Sequence, residues 1–184
     1  MDGVRPDPRM VEYHDIEWGV PTHDDRELFE RLALESFQAG LSWSTILNKR
    51  PAFRAAFRDF DPRLVAAFDD DDRERLMADA GIVRNRAKID ATIGNAAGVL
   101  ALAREFGSFD AYLATMVPGP PARLPLDTQA GEIPASTPAS DALSKDLRRR
   151  GFRFVGSTIV YAFMQSVGLV DDHLPGCFRY GATA

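Results

Sequence analysis

Ala80-Gly81-Ile82-Val83-Arg84-Asn85-Arg86-Ala87-Lys88-Ile89 is the stretch whose reading decides the fold. Upstream, the acidic run Asp70–Asp72 suits a helix start, and that helix ends at Ala80-Gly81. Downstream, a long helix runs from Asn85 to about Phe106, with Ile89, Ile93, Ala96, Ala97 and Leu100 recurring at helical spacing. Two helices joined by a tight turn that holds an apolar pair have the layout of a helix-hairpin-helix. In such a motif the turn amides and the second helix's N-terminus grip a DNA phosphate. Gly81 and Val83 then shape the turn, and the cations Arg84, Arg86 and Lys88 flank the phosphate. The same residues also suit a plain helix–helix corner with a glycine cap and a solvated basic start, because glycine after a helix is common.

Outward from this hairpin the chain reads as helical from end to end. Thr22-His23-Asp24-Asp25 offers caps for a helix over Arg26–Ala39, and Ser42 caps a second running to about Asn48. Pro51 opens a short segment over Ala52–Phe57, and Asp61-Pro62, a cap followed by proline, starts Arg63–Phe68. Ser108 caps a segment to Val117, and Asp141–Arg150 and Ser157–Val167 are the last two helices. Residues 118–136 are proline-rich, lack periodicity and predict a loop whose length suggests mobility or an interaction role. No alternating strand and no internal repeat is present. The expectation is an all-α fold in one domain spanning 1–184.

Bulk properties exclude several classes. At 184 residues and 45% hydrophobic content the chain can bury a full core. No apolar run reaches the roughly 18–20 residues of a membrane span. The polar, proline-containing N-terminus lacks the apolar core of a secretory signal. One cysteine excludes an internal disulfide framework and fits a reducing cytoplasm. A net charge of −5 argues mildly against binding nucleic acid by bulk electrostatics. A local basic face or helix amides can still hold phosphates. A later run, Lys145 with Arg148, Arg149, Arg150 and Arg153, is either a solvated face or an extension of such a surface.

A second informative stretch is Leu34-Glu35-Ser36-Phe37-Gln38-Ala39-Gly40-Leu41-Ser42-Trp43. Leu28 and Leu32 precede Glu35 by seven and four residues, so all three share one helix face. Glu35 therefore points into the core. A carboxylate there must be paired, protonated or used. Burial against an arginine is the plain reading, and a functional site is the other. A third constellation is His14 with His173 and Cys177. The short interval His173-Leu174-Pro175-Gly176-Cys177 suits a metal-ligand pair, and a zinc site joining the two ends of the chain would staple a small helical domain. Three ligands are one short of a closed structural site, and a core histidine with a buried thiol explains the same residues.

Four segments together resemble the DNA-3-methyladenine glycosylase I family. They are Tyr13-His14-Asp15-Ile16-Glu17-Trp18-Gly19-Val20-Pro21, Phe37–Trp43, Ala80–Arg86, and the C-terminal series from Ser144-Lys145 through Gly151–Gly156 and Tyr161–Gln165 to His173 and Cys177. The resemblance runs from about Asp7 to Tyr180. It implies an all-helical helix-hairpin-helix glycosylase whose ends are tied by zinc, acting in base excision repair on double-stranded DNA with alkylated bases. It also implies that Glu35 hydrogen-bonds the methylated adenine, that Tyr13 and Trp43 contact or stack on it, and that Trp18 lies nearby. Gly40-Leu41 falls where the family's chain meets the gap left in the duplex, making Leu41 a wedge. His14, His173 and Cys177 match three of four zinc ligands. The enzyme would be monofunctional, with water rather than a lysine attacking the sugar, and would act as a monomer.

The departures fall near the N-terminus. Met1 stands where the family has a cysteine ligand, a pocket aromatic two residues further on is missing, and Met10 replaces a tyrosine. A longer true N-terminus, zinc held by three side chains or lost, and a pocket drifted toward another lesion all remain open. Beside the glycosylase stands a second reading, a non-catalytic hairpin protein that binds lesions through a degenerate pocket. A zinc hydrolase is disfavoured, since no carboxylate–histidine partner motif accompanies the ligands.

Overall fold

A computed structural model describes residues 7–182, and their architecture follows from the caps and apolar spacing. Nine α-helices occur among them: α1 Pro8–Ile16, α2 Asp25–Gln38, α3 Trp43–Ala56, α4 Pro62–Ala66, α5 Asp70–Ala78, α6 Arg86–Phe106, α7 Phe109–Met116, α8 Pro138–Arg149 and α9 Ser157–Ser166. The expected caps are in use. Asp24 accepts from the amides of Arg26 and Glu27, Ser42 from Thr45, Asp61 from Arg63 and Ser108 from Ala111, and Asn85 likewise accepts from Lys88 although the sequence did not mark it as a cap. Each bond satisfies a backbone donor that the first helical turn leaves open.

Helix α2 is the centre of the molecule. Every residue from Leu28 to Phe37 is buried, so the helix is enclosed on all sides rather than along one stripe. It packs against α3, α6, α7 and α9. Phe37 of α2 packs against Phe53 of α3 and the following Phe57, with Phe37 and Phe53 centroids 4.7 Å apart. This enclosure makes any polar group on α2 expensive unless it is partnered or functional.

The structure departs from the sequence expectation in three places. Helix α1 is an element that periodicity did not announce, although Asp7-Pro8 repeats the cap-and-proline pattern of Asp61-Pro62, and Asp7 accepts from the Arg9 amide. Pro51 does not divide a helix: α3 runs through it unbroken. Ile46, Phe53 and Ala56 are buried on both sides of Pro51, and that packing outweighs the one backbone bond proline removes. Segment 118–136 is not structureless, since Ala122–Arg123 (β1) pairs in parallel with Val170–Asp171 (β2) and Ala130–Glu132 form a 3-10 turn. The fold is thus predominantly helical, with one minimal two-stranded pairing. Finally, the position of the missing cysteine, Met1, lies outside the described residues.

Candidate active site

The C-terminal half of α2 delivers Glu35 to a cavity of about 180 Å³ lined by Tyr13, Trp18, Glu35, Gln38, Trp43, Ala162 and Gln165. Tyr13 comes from α1 and Trp43 from the first turn of α3. Their rings stand 5.3 Å apart at 44°. Glu35 is 5% exposed and has no ion pair among the described residues. Burial pushes its carboxyl up to about 8, against the opposing pull of Arg31. The hydroxyl of Tyr13 and the indole N–H of Trp43 are both buried without a hydrogen-bond partner. Burial likewise raises the Tyr13 hydroxyl far above its ordinary value. Two buried polar atoms bonded to nothing on residues that line one cavity are unusual, because such groups are nearly always satisfied.

The arginine expected by the plain reading of Glu35 exists but does not bond to it. Arg31, one helical turn before Glu35, donates to Glu17 at 2.7 Å and lies 5.9 Å from the Tyr13 ring centre. Glu17 also pairs with Arg50, which binds Glu30 at 2.5 Å, and Glu30 in turn holds Arg54 at 2.9 Å. This chain of charges fixes Arg31 behind the cavity wall. Gln165, on the opposite wall, donates through its amide to Asp172 at 2.7 Å, and Tyr161 binds the same carboxylate at 2.5 Å. Gln38, Gln165 and Arg31 were not singled out from sequence. Only Arg31 carried a usable signal, its four-residue spacing to Glu35.

Gly40 and Leu41 form the turn between α2 and α3. Gly40 takes a φ of +84°, which favours glycine, and Leu41 is 40% exposed. The turn closes through two bonds with Gln38: the Leu41 amide donates to the Gln38 carbonyl at 2.7 Å, and the Gln38 side chain donates to the Leu41 carbonyl at 3.2 Å. The turn between α5 and α6 holds Gly81 and Val83, with Val83 packed against the core. A Cβ on Gly81 would meet Ala52 at 2.9 Å, so glycine permits the close approach of α3. Arg84 and Arg86 are exposed at this turn, Arg86 paired with Glu74. Lys88 corrects an expectation. It is 7% exposed and donates to the carbonyls of Phe37 at 2.8 Å and Ala39 at 2.7 Å, so it caps α2 rather than standing free beside a phosphate. The late basic run is also partly neutralised, since Arg149 and Arg150 pair with Asp146, and Arg150 with Glu105.

His14, His173 and Cys177 approach one another from the two ends of the described chain. The Cys177 Sγ lies 3.5 Å from His14 Nε2, and the two imidazoles stand edge to face at 5.4 Å. Each histidine turns its Nδ1 to a carboxylate, His14 to Asp15 and His173 to Asp171, both at 2.8 Å. That leaves Nε2 of His173 buried without a partner. A Cβ on Gly19, whose φ is +74°, would meet the His173 ring at 2.6 Å. The described residues nonetheless hold no group of three or more His, Cys, Asp or Glu side chains at metal-binding spacing. Trp18 joins the two regions: it lines the cavity and packs edge-on against His173 at 4.7 Å.

Known proteins resemble this chain in sequence and in fold. The family model described as methyladenine glycosylase matches residues 3–180. DNA-3-methyladenine glycosylase 1 of Escherichia coli (strain K12) is 51% identical over 177 residues, covering 96% of this chain and 94% of that protein. A crystal structure of 3-methyladenine DNA glycosylase I superposes with a TM-score of 0.91 at 50% identity, covering 97% of this chain and 98% of that one. A tyrosine-to-phenylalanine variant of such an enzyme, solved in complex with 3-methyladenine, gives a TM-score of 0.91 at 40% identity, over 96% of this chain and 94% of that one.

Proposed function

The chain belongs to the methyladenine glycosylase family, and from that membership we propose that it hydrolyses the N-glycosidic bond of 3-methyladenine in alkylated double-stranded DNA, the first step of base excision repair. One observation carries the assignment of the site. Glu35, buried and without an ion pair among the described residues, lines one cavity with Tyr13 and Trp43, whose hydroxyl and indole N–H are buried without a hydrogen-bond partner. A polar group left unbonded in the free protein costs about 1–3 kcal/mol, and a bound base that bonds to it recovers that cost.

The chemistry follows from these groups. An enzyme acting on a base takes it out of the stack and reads it by stacking and by hydrogen bonds to its edge. Trp43 and Tyr13 offer aromatic faces to a base that carries positive charge, a contribution of roughly 0.5–2 kcal/mol. The charge favours the ionised form of Glu35, which accepts from the exocyclic amine. Water adds to the sugar's anomeric carbon as the bond to nitrogen breaks. The bonding pair passes to the cationic base, which leaves neutral, and the proton of the added water goes to solvent. No lysine among the described residues lines the cavity, which supports attack by water over a Schiff base. Leu41 enters the gap left by the base, and the turn around Gly81 and Val83, with Arg84 and Arg86, holds a backbone phosphate.

Zinc fits the ends of the chain as a structural ion. At bond lengths of about 2.0 Å to nitrogen and 2.3 Å to sulfur, two tetrahedral ligands lie about 3.5 Å apart. The His14–Cys177 separation of 3.5 Å supports this reading, and the unpartnered Nε2 of His173, whose Nδ1 is bound to Asp171, would be the third donor. The ion would tie α1 to the C-terminal segment and take no part in bond cleavage. The protein would act as a monomer in the cytoplasm, enclosing one nucleotide at a time. The experiment that tests the activity measures free-base release from methylated duplex by chromatography, with wild type beside Glu35→Gln. Release of 3-methyladenine by wild type and far less by the variant is expected. A folded wild type that releases nothing would overturn the enzymatic reading.

A further inference from the structure

Two lysines bridge the hairpin to the helices on either side of the wedge turn. Lys88 sits in the first turn of α6, where Asn85 caps its amide at 3.1 Å. From there its ammonium reaches the end of α2 and binds the carbonyls of Phe37 and Ala39, at 2.8 and 2.7 Å. These are carbonyls that the last turn of a helix leaves without partners, at the negative end of its dipole. Lys49, on α3, makes the reciprocal contact. Its ammonium binds the carbonyls of Ala80 and Gly81 at 3.0 and 3.1 Å, inside the hairpin turn itself. The helix before Leu41 and the helix after it are thus each fastened to the hairpin through a lysine holding two backbone oxygens. A cation bonded to carbonyls is directional as well as attractive, so the pair fixes distance and orientation together.

We infer that Lys88 and Lys49 are positioning residues that set the spacing between the phosphate-gripping hairpin and the Leu41 wedge, so that both engage one lesion at once. The inference rests on the reading of Leu41 as the wedge and of the 80–86 turn as the phosphate grip. DNA binding needs the two contacts simultaneously, because the phosphate fixes register while the wedge occupies the gap. Loosening the link costs preorganisation, which falls on affinity for the duplex and not on affinity for a free base in the pocket. Lys88 is too buried to neutralise a phosphate itself, so its loss releases no counterion.

The test compares wild type, Lys88→Met, Lys49→Met, Leu41→Ala and the two lysine variants combined with Leu41→Ala. Three quantities are measured: affinity for an abasic duplex across a salt series, affinity for free 3-methyladenine, and melting temperature. Lys88→Met is expected to weaken duplex binding about ten- to hundredfold, the range for a lost charged hydrogen bond, with Lys49→Met weakening it less. Free-base affinity is expected to stay at the wild-type value, and the slope of affinity against salt to stay unchanged. Each lysine variant should add little to Leu41→Ala, because an absent wedge has no spacing to lose. A salt slope lowered by about 1 would make the lysines phosphate contacts and overturn the inference. So would fully additive losses, or equal loss of free-base binding. If Lys88→Met fails to fold, Lys49→Met, half-buried and outside the core, decides the same three outcomes. A Leu41→Ala variant that binds the duplex as well as wild type removes the wedge reading itself, a failure distinct from additivity.

Discussion

Arg31 and Glu35 lie one turn apart on the buried helix α2, yet the guanidinium turns away to Glu17, at 2.7 Å, and leaves the carboxyl without an ion pair. A cation therefore stands behind the cavity wall and acts on the carboxyl only through space. An arginine bonded directly would have filled the carboxyl's acceptor positions. Pinned by Glu17, it leaves them open to a substrate while still opposing the effect of burial.

Glu35 should make the protein less stable as pH rises. Its folded value, about 8, lies above its ordinary 4.5, so the folded state holds the proton more tightly than the unfolded one. Stability from this group is complete below about 4.5 and falls as pH climbs through about 8. Glu35→Gln carries no such proton, and its melting temperature should exceed wild type's at pH 9, by about 2–4 °C for each kcal/mol recovered, and match it near pH 5. Thermal melts at the two pH values decide it. An equal difference at both would mean the carboxyl is not the cause.

Arg31→Met should act on both stability and the pH profile. Glu17 keeps Arg50, so the loss is at most about 3 kcal/mol, the low end for breaking a buried pair. Without Arg31 the Glu35 carboxyl moves further up, and the alkaline rise of base release should shift to higher pH. A pH–rate profile parallel to wild type would show that the cation does not reach Glu35.

Tyr13→Phe should separate function from stability. The hydroxyl is buried and unpartnered, so its removal leaves the melting temperature equal or higher. Free 3-methyladenine should nonetheless bind about tenfold more weakly, the loss expected for one hydrogen bond of about 1.4 kcal/mol. Unchanged binding by titration calorimetry would place the hydroxyl outside the base contact.

Zinc removal should lower the melting temperature and leave the rate constant for base release at low temperature unchanged. Metal analysis of the purified protein is expected to find one zinc per chain, and Cys177→Ser to lose it. Chelation that leaves the melting curve in place would show that His14, His173 and Cys177 pack without a metal.

Much of the site was legible in the chain because it rests on local rules. The spacing of Leu28, Leu32 and Glu35 put the carboxyl in the core, and it is there. Ser42 and Ser108 marked helix starts by their side-chain chemistry, which acts over three residues. What the sequence alone determined was a helical chain with one buried carboxylate, a hairpin, and three candidate ligands at its two ends. Tertiary structure decided the rest, because it depends on groups far apart in sequence. Lys88 reads as a free cation beside a phosphate until the end of α2 arrives 49 residues away to absorb it. Pro51 reads as a break until the core holds both halves of α3 in line. An arginine partner for Glu35 is the plain expectation until Glu17, from another segment, takes Arg31, the arginine one turn away. In each case a long-range contact outweighed a local preference worth a few kcal/mol at most, and neither composition nor periodicity encodes which contact will form.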